Sequence, residues 1–95
     1  MSATLRMRFT TPDYDAWKAT FDADPLDRKG GGVTAFRVHR SVEDPSDVWV
    51  DLMFDTPAEA STFQTRLQQF WAQQGGSMLT DTVVAVIATV EEAAL

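Results

Sequence analysis

Cysteine is absent from this chain. That excludes a disulfide framework, a thiolate metal site and a cysteine nucleophile. Histidine occurs once, as His39, so a multi-histidine metal centre is excluded as well. No apolar run approaches the roughly 18 residues of a membrane-spanning helix, and the N-terminal residues carry no signal-peptide pattern. Basic residues are few and scattered: 8 Lys and Arg against 14 Asp and Glu leave a net charge of −6. The basic stripe that tracks a phosphate backbone is therefore missing. These absences lead us to expect a soluble, cytoplasmic protein with no nucleic-acid, membrane or metal partner and no cofactor.

What is present is a single domain's worth of chain, residues 1–95. A chain this short buries little more than about 60% of its unfolded surface, which limits stability to the order of 5–10 kcal/mol. Sheltering an apolar face against a second copy would add to that. The apolar fraction, 44%, is ordinary, but the aromatic fraction, 11%, is generous for the size. Three Trp and six Phe can make either a core of large residues or a cavity lined with rings.

The same punctuation appears twice. Phe9-Thr10-Thr11-Pro12 and Phe54-Asp55-Thr56-Pro57 each end a strand-like alternation and open a helix-like spacing. In the first copy Leu5, Met7 and Phe9 alternate with Arg6 and Arg8, which predicts a strand over 4–10 with one buried face. Thr11 is the expected N-cap, with Pro12 at the first helical position and Asp13 and Asp15 favourably placed in the first turn. Tyr14, Trp17 and Phe21 form an apolar stripe, and Pro25 stops the helix at or before Asp24. A loop closed by Gly30-Gly31-Gly32 leads into a strand over 33–41, with Phe36, Val38 and Arg40 on one face and Ala35, Arg37 and His39 on the other. The turn Glu43-Asp44-Pro45-Ser46-Asp47 follows. A strand over 48–55 then buries Val48, Val50, Leu52 and Phe54. Thr56-Pro57-Ala58-Glu59 is a capping box, and the helix behind it runs to about Gln74, with Gly75-Gly76 as its stop. Its stripe is Ala60, Phe63, Leu67, Phe70 and Trp71. The last strand, over 81–91, does not alternate: Val83 to Ala88 are all apolar, the pattern of a strand buried on both faces.

The order β-α-β-β-α-β predicts a ferredoxin-like α+β fold: a four-stranded antiparallel sheet with two helices on one face. The other face is then bare. The last strand adds to it either Val83, Ala85 and Ile87 or Val84, Val86 and Ala88, beside Trp49 and Met53. A patch of that size marks an interface, so we expect a homodimer whose sheets face each other and close a shared barrel. Pleat parity limits the central hairpin to registers in which paired residue numbers sum to an even value. A sum of 90 places His39 opposite Asp51, and a sum of 88 places Arg37 there. Either way a cation lies next to Asp51.

The pattern Tyr14-x-x-Trp17-x-x-x-Phe21-Asp22, Arg28-x-x-Gly31, Val38-x-Arg40-x-x-x-Asp44-Pro45, Val48-x-Val50-x-x-x-Phe54 and Ala60-x-x-Phe63 covers most of the chain. It resembles the dimeric α/β-barrel superfamily, in particular small proteins similar to the antibiotic-biosynthesis-monooxygenase group. The resemblance implies the dimer, the barrel, and a pocket between sheet and helices in each subunit. Some relatives are cofactor-free monooxygenases of aromatic or quinol compounds, and others degrade haem with an Asn-Trp-His set. This chain contains no Asn and cannot assemble that set.

Two readings of function follow. One is a non-catalytic dimeric domain, or one that binds a small apolar or aromatic ligand. The other is a cofactor-independent, monooxygenase-like enzyme. The candidate ligand-binding residues are Tyr14, Trp17, Trp71 and Arg40. The first three are rings with a polar tip that seeks a partner when buried, and Arg40 is predicted among apolar neighbours facing the helices, with a strand-end position that reaches solvent as its plain and favoured alternative. Helical spacing predicts Phe21, Phe63 and Phe70 as ordinary core. His39, oriented by Asp51, is the catalytic candidate, with an interface histidine paired to a carboxylate as its plain alternative. Asp22-x-Asp24-x-x-Asp27 lacks the glycine and glutamate of a calcium loop. A cavity of roughly 300 Å³ beside Arg40 and the tryptophans is what the enzyme reading requires.

Overall fold

The computed structural model describes residues 1–73 and 79–95. The elements follow the predicted order: β1 (Ala3–Thr10), α1 (Tyr14–Ala23), β2 (Val33–Arg40), β3 (Asp47–Phe54), α2 (Pro57–Gln73) and β4 (Thr80–Ala88). The four strands form one antiparallel sheet in the order β2-β3-β1-β4. This is the ferredoxin-like arrangement. The expected stop at Gly75-Gly76 lies outside the described residues.

Alternation decides which side of the sheet each residue serves. Leu5, Met7 and Phe9 of β1 and Val48, Val50, Leu52 and Phe54 of β3 are buried against the helices. From α1, Trp17 packs on Phe9 with ring centroids 5.1 Å apart, and from α2, Phe63 packs on Phe54 at 5.6 Å. Both helices therefore cover the same face. Ala60, Phe63 and Leu67 form the buried stripe of α2. Its start is built as the sequence predicts: the Thr56 hydroxyl accepts the Glu59 N–H (3.3 Å) and donates to the Glu59 carboxylate (3.0 Å).

The start of α1 differs from the expectation. Its N-cap is Asp13, whose carboxylate accepts the Ala16 N–H at 3.0 Å, and Pro12 stands outside the helix. Thr11 is held back by tertiary bonds. It is 1% exposed, its N–H donates to the Ser46 carbonyl across the β2–β3 turn, and its hydroxyl accepts the Asp13 N–H. The C-terminus is as predicted: the helix ends at Ala23, and Asp24 takes a left-handed conformation (φ 56°) one residue before Pro25.

β4 is the second difference. It ends at Ala88, because β1, its ladder partner, begins at Ala3 and the Ala3–Ala88 pair closes the ladder. It is an edge strand. Val84 and Val86 are half-buried towards the helices, opposite Met7 and Leu5. Within a single chain it is not buried on both faces: Val83 (62%), Ile87 (40%) and Ala85 are exposed on the outer side. Of the two sets left open by the sequence, Val83, Ala85 and Ile87 join Trp49 and Met53 there.

The β2–β3 hairpin takes the register summing to 88, with Arg37 opposite Asp51 and His39 opposite Trp49. The register shifts between Val33 and Ala35. The loop entering β2 is tight. A Cβ on Gly31 would lie 2.7 Å from the Phe63 ring, and Gly32 has φ +99°, so both positions require glycine.

Candidate functional site

Between the helices and the sheet the rings do not fill the space. A cavity of about 190 Å³ opens there. Its floor is Met7 and Leu52 of the sheet. Trp17 and Phe21 of α1 form one wall, and Phe63, Leu67, Phe70 and Trp71 of α2 the other. Trp17 stacks on Phe21 with centroids 5.1 Å apart, Tyr14 lies tilted 5.8 Å from Trp17, and Phe21 meets Phe36 of β2 edge-on at 5.2 Å. Polar residues in the lining are few: Thr20, Thr82, Asp24 and Arg28.

Arg28 sits in the loop after α1 and is positioned by its own backbone. Its N–H donates to the Asp24 carboxylate at 3.0 Å, and its carbonyl accepts from Val33 at 2.9 Å. The guanidinium carbon stands 3.9 Å from the Phe21 ring centroid and 5.0 Å from that of Phe36. Nη1 donates to the Phe21 carbonyl at 2.5 Å, and Nε lies 3.5 Å from the Asp24 carboxylate. The neighbouring Arg66 donates to the Leu26 carbonyl, which ties the loop to α2.

The four predicted ligand-binding residues are divided by this geometry. Trp17 and Trp71 line the cavity. Tyr14 and Arg40 do not. They meet each other further along β2, with the Arg40 guanidinium carbon 4.1 Å from the Tyr14 ring centroid and Nε donating to the Pro45 carbonyl at 2.9 Å. Arg40 lies at the end of its strand and is exposed. Arg28 is the cation at the cavity instead. It stood in the sequence pattern without a role, because nothing in a loop's composition shows which way a side chain will turn.

His39 and Asp51 lie on the opposite face of the sheet from the cavity. His39 Nε2 is 4.0 Å from Asp51 Oδ2, and the His39 side chain is half exposed. Asp51 is 7% exposed despite facing outward. Arg6 covers it with a bidentate pair, Nε to Oδ1 at 2.8 Å and Nη2 to Oδ2 at 3.1 Å. That hydrogen bond first, and Coulomb attraction second, raise the Arg6 guanidinium above its usual range. Arg8 makes the same fork with Asp47 (3.0 Å and 3.0 Å) while lying 4.7 Å from the Trp49 ring centroid. Hydrogen bonding to Arg8 is the main cause that holds the Asp47 carboxyl below its ordinary range, and the Arg8 guanidinium is raised in turn. The structure thus brings His39 and Asp51 together, but not with the aromatic cavity of the same chain.

No family model and no curated protein matches the chain. Solved structures do match, over nearly its whole length. Rv0793 from Mycobacterium tuberculosis superposes with a TM-score of 0.74 at 19% identity, covering 99% of this chain and 100% of its own. A variant of SnoaB, described as a cofactor-independent oxygenase from Streptomyces nogalater, gives 0.73 at 12% identity, covering 96% and 95%. A dimeric ferredoxin-like protein from an uncultured marine organism gives 0.69 at 12% identity, covering 97% and 98%. Others are named for antibiotic-biosynthesis monooxygenases. At these identities the likeness is one of fold, and it agrees with the resemblance read from the sequence.

Proposed function

We propose that this chain is a single-domain cytoplasmic protein that binds a small, flat, largely apolar molecule between its helices and sheet, and that it works as a homodimer joined through the open face of the sheet. The cavity carries the first part of this reading. It is walled by Trp17, Phe21, Phe63 and Trp71 and offers only a few convergent polar groups, which is how sites for small molecules are built. Its size limits the occupant. A dry apolar cavity of about 150 Å³ takes benzene, and drug-sized ligands need roughly 300 Å³ or more. About 190 Å³ therefore fits one ring or two fused rings. The dimer is supported by the exposed Val83, Ala85 and Ile87 and by the match to a dimeric ferredoxin-like protein. The acidic, cysteine-free composition suits a reducing compartment.

The second reading is a cofactor-independent oxygenase acting on an aromatic or quinol-type molecule; the fold match to SnoaB favours it, while a cavity of about 190 Å³ that Arg40 does not line falls short of what it requires. Such a reaction needs a proton acceptor at the substrate. Asp24 is the one carboxylate lining the cavity among the described residues, and His39 is across the sheet.

A titration with dihydroxynaphthalenes separates these readings. We expect saturable quenching of tryptophan fluorescence that is lost in Trp71→Ala, with no oxygen uptake. Absence of saturable quenching overturns the pocket. Oxygen consumption dependent on the folded protein establishes the enzyme instead.

A further inference from the structure

We infer that the ligand carries an anionic oxygen on its ring system, a carboxylate or an ionised hydroxyl, and that Arg28 reads it. The inference rests on the pocket reading above and adds the chemical class of the occupant. Arg28 is the cation lining the cavity, and its side chain is only 18% exposed. It lies over Phe21 and near Phe36, so its flat faces are partly stripped of water. Asp24 is its ion-pair partner, and the guanidinium's remaining donors are not buried, so they stay open to an incoming anion.

The partners present are incomplete. A guanidinium has five N–H donors. Nη1 uses one on the Phe21 carbonyl, and Nε stands 3.5 Å from Asp24, beyond good hydrogen-bond length. Nη2 has no hydrogen-bond partner among the described residues. Two of the other arginines differ from it: Arg6 and Arg8 each close a two-point fork on an aspartate. Arg28 is denied such a fork, although Asp24 is adjacent. The carboxylate is committed to the Arg28 backbone N–H at 3.0 Å, which turns it away from the fork.

The placement is also rigid, because three backbone hydrogen bonds (one to Asp24, one from Gly31 and one from Val33) hold Arg28 at the cavity wall. A planar aromatic acid can stack against Trp17, Phe21 and Trp71 and present its oxygens to the unused N–H groups. Asp24 is the one opposing charge in the lining among the described residues. It is already neutralised in part by the same guanidinium, and its side chain is 37% exposed.

Calorimetric titration of the full chain with 1-naphthoate and with its neutral isostere 1-naphthamide tests this. The wild type is expected to prefer naphthoate by about tenfold, the size of one charge-assisted hydrogen bond. Arg28→Gln should abolish the preference, so that the two probes bind alike. Arg28→Lys, which keeps the charge but loses the fork, should retain less than half of it. Equal wild-type binding of the two probes, or an undiminished preference in Arg28→Gln, overturns the role of Arg28 and leaves the pocket standing. Binding of neither probe overturns the pocket itself. If circular dichroism shows Arg28→Gln unfolded, Arg28→Lys decides, and an undiminished preference there refutes the inference.

Discussion

The two faces of the sheet are written in the same strands, one residue out of step, and they solve different problems. The helix face is apolar along β1 and β3, and its residues are buried to within a few per cent. Burial there is completed by the chain itself, apart from a cavity where Trp17 and Trp71 fail to meet. The outer face carries Arg6, Arg8, Arg37 and His39 around a buried Asp51, flanked by Trp49, Met53 and the exposed side of β4. Two of the arginines on that face are already paired within the sheet: Arg6 with Asp51 and Arg8 with Asp47. A second subunit would therefore meet a surface whose ion pairs need no rearrangement and whose apolar rim is uncovered. Internal completion on one side and deferred completion on the other is the lesson of the comparison.

The inner face breaks most severely. Phe63 is 2% exposed, packs on Phe54 and closes against Gly31. Phe63→Ala should cost about 3–5 kcal/mol, measured by urea unfolding. The outer face should behave in the opposite way. Ile87→Lys places a charge where a single chain leaves the side chain 40% exposed, so the fold should survive with unchanged circular dichroism. The dimer should not survive: an uncompensated buried charge of about 3 kcal/mol weakens association about a hundredfold. Light scattering on dilute protein reads this directly. A wild-type monomer, or a variant dimer of undiminished affinity, would remove the proposed function of the outer face.

How far this contrast was legible depends on which forces decide each feature. Alternation in β1 and β3 gave the inner face, because a half-buried strand has no other way to place Leu5, Met7 and Phe9 together. The capping box at Thr56 was legible because its partners are three residues apart. The cap of α1 was not. Thr11 and Asp13 are both good capping residues, and a bond from Thr11 to the distant Ser46 chooses between them. Hairpin parity was readable from the pleat, but the choice of register belongs to the turn, where the Ser41 N–H donates to the Asp47 carbonyl and the Asp47 N–H to that of Asp44. The candidate site was half legible. The helix positions Trp17 and Trp71 were found from spacing, whereas Arg40 was assigned by parity, and at the strand end its side chain turns to the Tyr14 ring and the Pro45 carbonyl instead. Arg28 needed the loop's hydrogen bonds, which no periodicity encodes.

The smallest effect expected is also confined to the outer face, and it has a definite sign. The Asp47 carboxyl is held below its ordinary range chiefly by its hydrogen bonds to Arg8, so the folded state binds its proton less readily than the unfolded chain does. A carboxyl depressed on folding contributes stability at pH values above its unfolded pKa, near 3.9, and that contribution fades as the pH falls through the folded value. The pair is exposed and its partner side chain is half in water, so its share is slight and screened by salt. Asp47→Asn should therefore lower the melting temperature slightly at pH 7. It should leave it unchanged at pH 2, where the wild-type carboxyl has lost most of its advantage. The inner face has no ion pair comparable to Arg8–Asp47 among the described residues, so the core variant Phe63→Ala should keep its full deficit at both pH values. A deficit for Asp47→Asn that persisted undiminished at pH 2 would mean that Asp47 stabilises the hairpin through packing and turn geometry, and not through the charge that pairs it with Arg8.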